Sequence, residues 1–303
     1  MHSRREPIAG GGVSDPLTVL VMGTEMKIRY GCEMSFVTNA PTPTVCMIDV
    51  HPSRARGLAG LPRLIINQGV GAATGVDSFG NIIRRFEAPA GETRISFSGV
   101  VVDDGVLDAR DPSAEAMPIG DLPNDVLTYL NASRYCDTDL LASDTWRLFG
   151  NQRRDTRLVE KICDFTHHRI QFGYQHARAT RTASQTHAER IGVCRDFAHL
   201  AIALCRAVNI PARYVNGYLG DIGVPADPAP MDFNAWFEAY LGGRWYTFDA
   251  RHNCRRIGRI QIAKGRDACD VPIFQTFGPH TLTGFKVVTE EVNNVVPMQV
   301  MAA

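Results

Sequence analysis

The chain has 303 residues, 45% of them hydrophobic and 21% charged, enough apolar material for two cores at the usual domain size of roughly 100–200 residues. Its 32 basic and 32 acidic residues cancel, so neither nucleic acid nor an anionic membrane is expected as partner. No uninterrupted apolar stretch approaches the ~18 residues of a membrane span.

Residues 1–14 read as a loose polar tail, and the apolar run Leu17 to Met22 is too short for a secretory core. From 15 to 105 the text is strand-like, with β-rich runs at 26–30, 46–50, 64–66, 82–86 and 93–102. Asp77-Ser78-Phe79-Gly80-Asn81 reads as a tight turn between two of them. Gly69-x-Gly71-x-x-x-Gly75 resembles a phosphate loop only in outline, lacking the lysine–hydroxyl pair and the following helix, so it is read as a plain loop. Short strands without a helical period predict a β-sandwich-like domain. Residues 106–150, rich in Asp, Pro and Ala at the start, are read as a linker and connecting segment.

A core domain is expected over 151–290, with 291–303 as a C-terminal tail. Val159, Ile162, Cys163, Thr166 and Ile170, widened by Leu158 and Phe165, form a one-sided helical stripe ending near Ile170. The segment opened by Cys194 is apolar on nearly every side, as in a buried central helix, and Asn209 and Pro211 mark its end. A thiol at a helix start faces unpaired N–H groups that favour its thiolate; the plainer reading is a small buried hydrophobe like Cys205. A strand follows at 212–218, then a Pro/Gly/Asp loop at 220–230 long enough to border a site. Residues 233–250 read as a hairpin with a two-residue turn at Gly242-Gly243. That turn pairs 241 with 244, which sets Trp236 opposite Asp249 and position 234 diagonal to Asp249 on the same face.

Eight cysteines are scattered with no C-x-x-C pair, and nine histidines show no H-E-x-x-H spacing. No metal and no cofactor are expected, and free thiols suit a reducing, cytoplasmic setting.

The strings GVCRDFAHLAIALCRAVNIPARYVNGY (192–218), AWFEAYLGGRWYTFDARH (235–252) and RIGRIQIAKGRDACDV (256–271) resemble the bacterial transglutaminase-like family of cysteine proteases. The β-rich N-terminal region resembles the domain that often precedes this core. The resemblance implies an α+β fold: a papain-like, transglutaminase-type core, its central helix packed on an antiparallel sheet, behind a β-sandwich-like domain. It also implies a thiolate, a histidine base and an orienting aspartate. Cys194 and Asp249 match, and Trp236 matches the tryptophan two places past the histidine, but the histidine position itself holds Asn234.

An asparagine neither takes nor gives a proton near neutral pH, and general acid–base help is worth about 10²–10⁴-fold in rate. His252 would point away from Asp249 in an uninterrupted strand; a bulge after Ala250 would turn it back as a surrogate base. His199 is expected in the core, and His167 and His168 on a surface or packing face. Asp196 is read first as a partner of the helix-start N–H groups. Asp196, Trp236 and Tyr218 form the expected substrate-contacting set. The expected activity is amide hydrolysis or acyl transfer through a Cys194 thioester on a peptide, protein or small amide; a homo-oligomer is compatible with the sequence. The alternative is a catalytically impaired pseudoenzyme that binds a peptide or protein partner.

Overall fold

The computed structural model describes residues 25–292. The tail at 1–14, the run Leu17 to Met22 and all but the start of the C-terminal tail lie outside those residues.

The N-terminal region opens with β1 (Met26–Thr38) and β2 (Thr42–Cys46), followed by β3 (Arg63–Ile66), β4 (Ala73–Val76), β5 (Ile82–Ala88) and β6 (Gly91–Asp103). Period-two burial is clear in β1, where Ile28, Tyr30, Cys32, Met34 and Phe36 all point into the core. The turn at 77–81 forms between β4 and β5: the Asp77 carboxylate accepts from the N–H groups of Phe79 and Asn81, both at 2.8 Å, and Gly80 takes the left-handed φ of +83°. The glycines at 69–75 run through a loop straight into β4, with no helix after them.

The segment read as a linker holds structure of its own: α1 (Asn124–Leu127) and α2 (Thr138–Phe149), whose Leu141, Thr145 and Phe149 are buried. Next come α3 (Thr156–Arg169), β7 (Gln171–Phe172), α4 (Ala183–Glu189) and β8 (Ile191–Gly192), with β7 and β8 paired in parallel. Helix α5 (Cys194–Ala207) has every residue from Asp196 to Ala207 buried. It packs on the sheet of β9 (Ala212–Tyr218), β10 (Asn234–Leu241), β11 (Arg244–Phe248) and β12 (Ile260–Gly265), ordered β11-β10-β9-β12 and antiparallel throughout. The fold is therefore α+β, a central helix on an antiparallel sheet behind a β-rich region.

The last two strands, β13 (Phe274–Thr276) and β14 (His280–Glu291), do not belong to the core expected over 151–290. They return to the N-terminal region, completing sheets ordered β13-β2-β5-β4 and β14-β1-β6-β3. Phe36 of β1 meets Phe274 of β13 with ring centroids 4.6 Å apart, joining the two sheets. The β-rich region is also tied to the core. Asn81 pairs with β12 as a strand would, its amide donating to Lys264 O at 2.8 Å and its carbonyl accepting from Lys264 N at 2.9 Å. Among the described residues no helix is long and apolar enough to cross a membrane.

Candidate active site

Helix α5 is started by a local device. The Asp196 carboxylate reaches back to the Val193 N–H at 2.9 Å and meets Arg181 at 3.0 Å. Gly192 makes room for it, since a Cβ there would stand 2.7 Å from the Asp196 Cβ. Asp196 is fully buried in this role and offers no face to a substrate.

Cys194 is the first residue of α5 and is half-buried. Its thiol donates weakly to the Phe233 carbonyl at 3.9 Å. The expected lowering of its pKa is not what the surroundings produce. Burial dominates and pushes the thiol up to about 11, against the pull of the Arg251 guanidinium and the backbone N–H groups of Ala235 and Arg195. Asp232 adds to the rise.

The hairpin register is the one the turn dictates: Leu241 pairs with Arg244, continuing to Phe237 with Phe248, and Gly242 and Gly243 take φ of +55° and +83°. Asn234 opens β10, buried and fully engaged. Its amide donates to Leu219 O (3.3 Å) and Asp232 O (3.2 Å), and its carbonyl accepts from Arg251 Nη1 at 3.1 Å.

Asp249 follows the last residue of β11, and there the chain turns. Its carboxylate accepts from the backbone N–H groups of Arg251 and His252, each at 3.0 Å, bending the chain back on itself. That bend brings His252 Nδ1 to 2.9 Å from Asp249 Oδ2. The turn, in place of a strand bulge, thus seats His252 where an orienting carboxylate holds it. Arg259 completes the cluster, donating to Asp249 at 3.0 Å and to Asp108 at 3.0 Å. Burial alone would raise the Asp249 carboxyl, but Arg259 and His252 together hold it well below the usual carboxylate range.

Trp236 is buried beneath this cluster, its ring 4.9 Å from the Arg259 guanidinium carbon. Tyr218 is buried too, donating to Ile48 O at 3.0 Å across to the N-terminal region. His199 is packed in the core between the rings of Tyr135 and Tyr214, accepting from the Ala268 N–H at 3.1 Å. His168 bonds its own helix at Asp164 O, whereas His167 braces the turn through Arg251 O at 2.9 Å. Arg255 is exposed, whereas its neighbour Arg256 is buried and donates to Gly220 O at 2.8 Å.

Two clefts meet at Asn234. One holds Cys194 and is walled by Tyr214, Phe233, Val271 and Ile273. The other holds His252, Arg251, Asp232 and the loop from Leu219 to Asp221. Asn234 lines both, while Cys194 and His252 stand in different ones. Three contributors escaped sequence reasoning. Arg251 lies within the quoted DARH string, and Asp232 stands two residues before Asn234, so proximity to the motif was available as a signal. The Asp108–Arg259 link spans 151 residues and left none.

Residues 145–250 match the transglutaminase-like superfamily. These residues form a transglutaminase-like domain. Around it the chain is similar to a solved structure from Cytophaga hutchinsonii described as a candidate cysteine protease, with 29% identity, a TM-score of 0.76, and 89% of this chain and 92% of that one covered. An uncharacterized protein of Mycobacterium leprae is 35% identical over 103 residues, 33% of this chain and 37% of that protein. One of Mycobacterium tuberculosis is 37% identical over 92 residues, 27% of this chain and 29% of the relative. The chain thus spans between 29% and 37% of the length of these curated relatives.

Proposed function

We propose that this transglutaminase-like protein is a cysteine enzyme acting on an amide-linked acyl group, with Cys194 as nucleophile and the Asp249–His252 pair as its acid–base help. The observation that carries this reading is the pairing of His252 Nδ1 with a buried, ionised Asp249 at 2.9 Å, in the cleft that adjoins the thiol at Asn234. Holding Nδ1 leaves Nε2 as the nitrogen that exchanges protons. In the first half-reaction the Cys194 sulfur bonds to the acyl carbon, the C–N bond breaks, and the thiol proton ends on the departing amine. Water or another amine then takes the acyl group and returns a proton to the sulfur. The substrate is a peptide, a protein or a small amide, and a reducing, cytoplasmic setting would keep the thiol available. The similarity to the Cytophaga hutchinsonii protein supports the hydrolytic branch.

The test is trapping. An activated p-nitrophenyl ester should add one acyl mass to Cys194, seen by intact-protein and peptide mass spectrometry, and the adduct should vanish in Cys194→Ala and form more slowly in His252→Ala. Absence of any adduct on Cys194, while the same site is alkylated by iodoacetamide at high pH, would overturn the enzyme reading. A second reading, a partner-binding pseudoenzyme, is favoured by one observation: burial leaves the thiol near 11 with Asn234 beside it fully hydrogen-bonded. It predicts that same negative result together with saturable binding of a peptide at the cleft.

A further inference from the structure

The cleft beside Asn234 is lined by charges of both signs, few of them in close contact with one another. Asp221 and Asp227 are occupied by their own loop: Asp221 accepts from Asp227 N at 2.8 Å, and Asp227 from Ala229 N at 2.9 Å. Asp232 differs. Its carboxylate accepts from the adjoining Phe233 N–H at 2.7 Å, and no described cation pairs with it. It is half-buried, and burial raises its pKa against the pull of the Phe233 N–H and the more distant Arg251 guanidinium.

Two guanidinium groups face the same space. Arg251 bonds the neutral carbonyl of Asn234 and lies 4.0 Å over the Phe172 ring, with no carboxylate partner among the described residues. Arg256 has a side chain only 4% exposed. It donates to Gly220 O, stands 3.9 Å from Asp221, and keeps a buried Nε with no partner at all. Buried charges are ordinarily paired, because an unpaired one forfeits its hydration for nothing. Arg256 meets Asp221 only at 3.9 Å, and Arg251 acts on Asp232 across the cleft without pairing with it; charges of both signs held apart in this way are the complement of a small group carrying both a carboxylate and an amine.

We propose that this cleft is the subsite for a free α-amino-acid group, its carboxylate received by Arg251 and Arg256 and its amine by Asp232. This rests on the Cys194 reading for its catalytic meaning. The acyl part would lie in the apolar cleft with the thiol, and the group on the nitrogen side of the scissile amide in the charged one. The released or accepting amine is then a free amino acid, and the substrate is the same amino acid N-acylated, as in the C-terminal residue of a peptide, with a neutral amide N–H in place of the charged amine and correspondingly weaker binding at Asp232.

Binding can be read without turnover. In the Cys194→Ser chain, titration calorimetry with L-alanine and L-leucine should show saturable binding. L-Alaninamide, which lacks the carboxylate, and N-acetyl-L-alanine, which lacks the charged amine, should each bind about 10- to 100-fold more weakly, the loss of one charged hydrogen bond. Arg251→Gln should remove the difference between acid and amide, and Asp232→Asn that between free and acetylated amine. Arg251→Lys, with an unchanged melting curve, should keep part of the acid preference. The proposal is overturned if the amide binds as well as the acid, if neither variant changes the ranking, or if no amino acid binds. Amino-acid binding without ester trapping at Cys194 would sink the enzyme reading alone; trapping without amino-acid binding would sink the subsite alone.

Discussion

The resting state of Cys194 is the sharpest quantity the site offers. Burial pushes its thiol up to about 11, although the residue opens a helix. At pH 7.5 a group titrating at 11 is about 0.03% thiolate, against about 10% for an ordinary thiol near 8.5, so attack on a small alkylating agent should be roughly 300-fold slower. The exposed Cys254 serves as an internal standard in the same chain. Iodoacetamide labelling, quenched over time and read by peptide mass spectrometry from pH 6 to 11, should show Cys194 lagging Cys254 by two orders of magnitude at neutral pH. Its rate should then climb about tenfold per pH unit toward 11, and Arg251→Gln should slow it further. Labelling of Cys194 at neutral pH within about threefold of Cys254, or an inflection below pH 8, would refute the claim that enclosure outweighs the helix start. A neutral resting thiol still fits catalysis, since the proton can leave during attack, when substrate brings the thiol into reach of a base.

Asn234→His should raise the Cys194 alkylation rate at pH 7.5, and by more in an His252→Ala background, because the wild-type His252 already holds the carboxylate a new imidazole would need. Asp249→Asn breaks a buried ion cluster and leaves Arg259 with Asp108 alone, which should cost about 3–5 kcal/mol in urea unfolding. The Asp249 carboxyl titrates below its unfolded value, so its contribution is present above about pH 4 and fades as pH falls further; the variant's stability should be flatter in that acid range. His199 works in a higher window. Burial holds it neutral, so the unfolded chain gains a proton below about pH 6.5 that the folded one refuses, and stability should fall by up to about 1.4 kcal/mol per pH unit there. His199→Gln should flatten that slope in pH-dependent melting. Gly220→Ala would place a Cβ 2.1 Å from Thr289 O, and the forced shift of β14 or the cleft wall should lower stability by about 1–3 kcal/mol in the same assay.

The parts of the molecule written in local periodicity were legible from sequence. The helix stripe at 158–170, the all-round apolar α5 and the alternation of β1 each report a short-range geometry that sequence spacing copies directly. The hairpin register was legible for the same reason, since Gly242-Gly243 admits the positive φ angles that fix which residues pair. What was lost is what depends on distant chain. Nothing in 274–291 says that β13 and β14 should leave the core and pair with β2 and β1, because an edge strand's text is the same whichever sheet accepts it. Nor does Asp108 advertise Arg259, or Arg256 its burial under Gly220.

The partner of Asp249 shows where local reasoning ends. The hairpin pairs as the turn dictates only as far as Phe237 with Phe248, so the expected pairing of Trp236 with Asp249, on which a histidine at 234 was the natural completion, lies beyond its end. β11 stops at Phe248, and the next residue, Asp249, starts the turn. Once the Asp249 carboxylate accepts the N–H groups of Arg251 and His252, the side chain of His252 is carried back to the same oxygen pair by backbone geometry alone. The Asp249 carboxylate thus holds an imidazole from within a four-residue turn, Asp249 to His252. The Asn234 amide is engaged elsewhere. It bridges the loop at Leu219 and Asp232 to the Arg251 guanidinium, fixing a cation at the junction of the two clefts. The asparagine and the histidine three residues past Asp249 are linked through Arg251, whose guanidinium donates to Asn234 while its backbone N–H donates to Asp249. Each should be sensitive to the other in a double-mutant cycle on Cys194 reactivity, with a coupling near zero if they act independently.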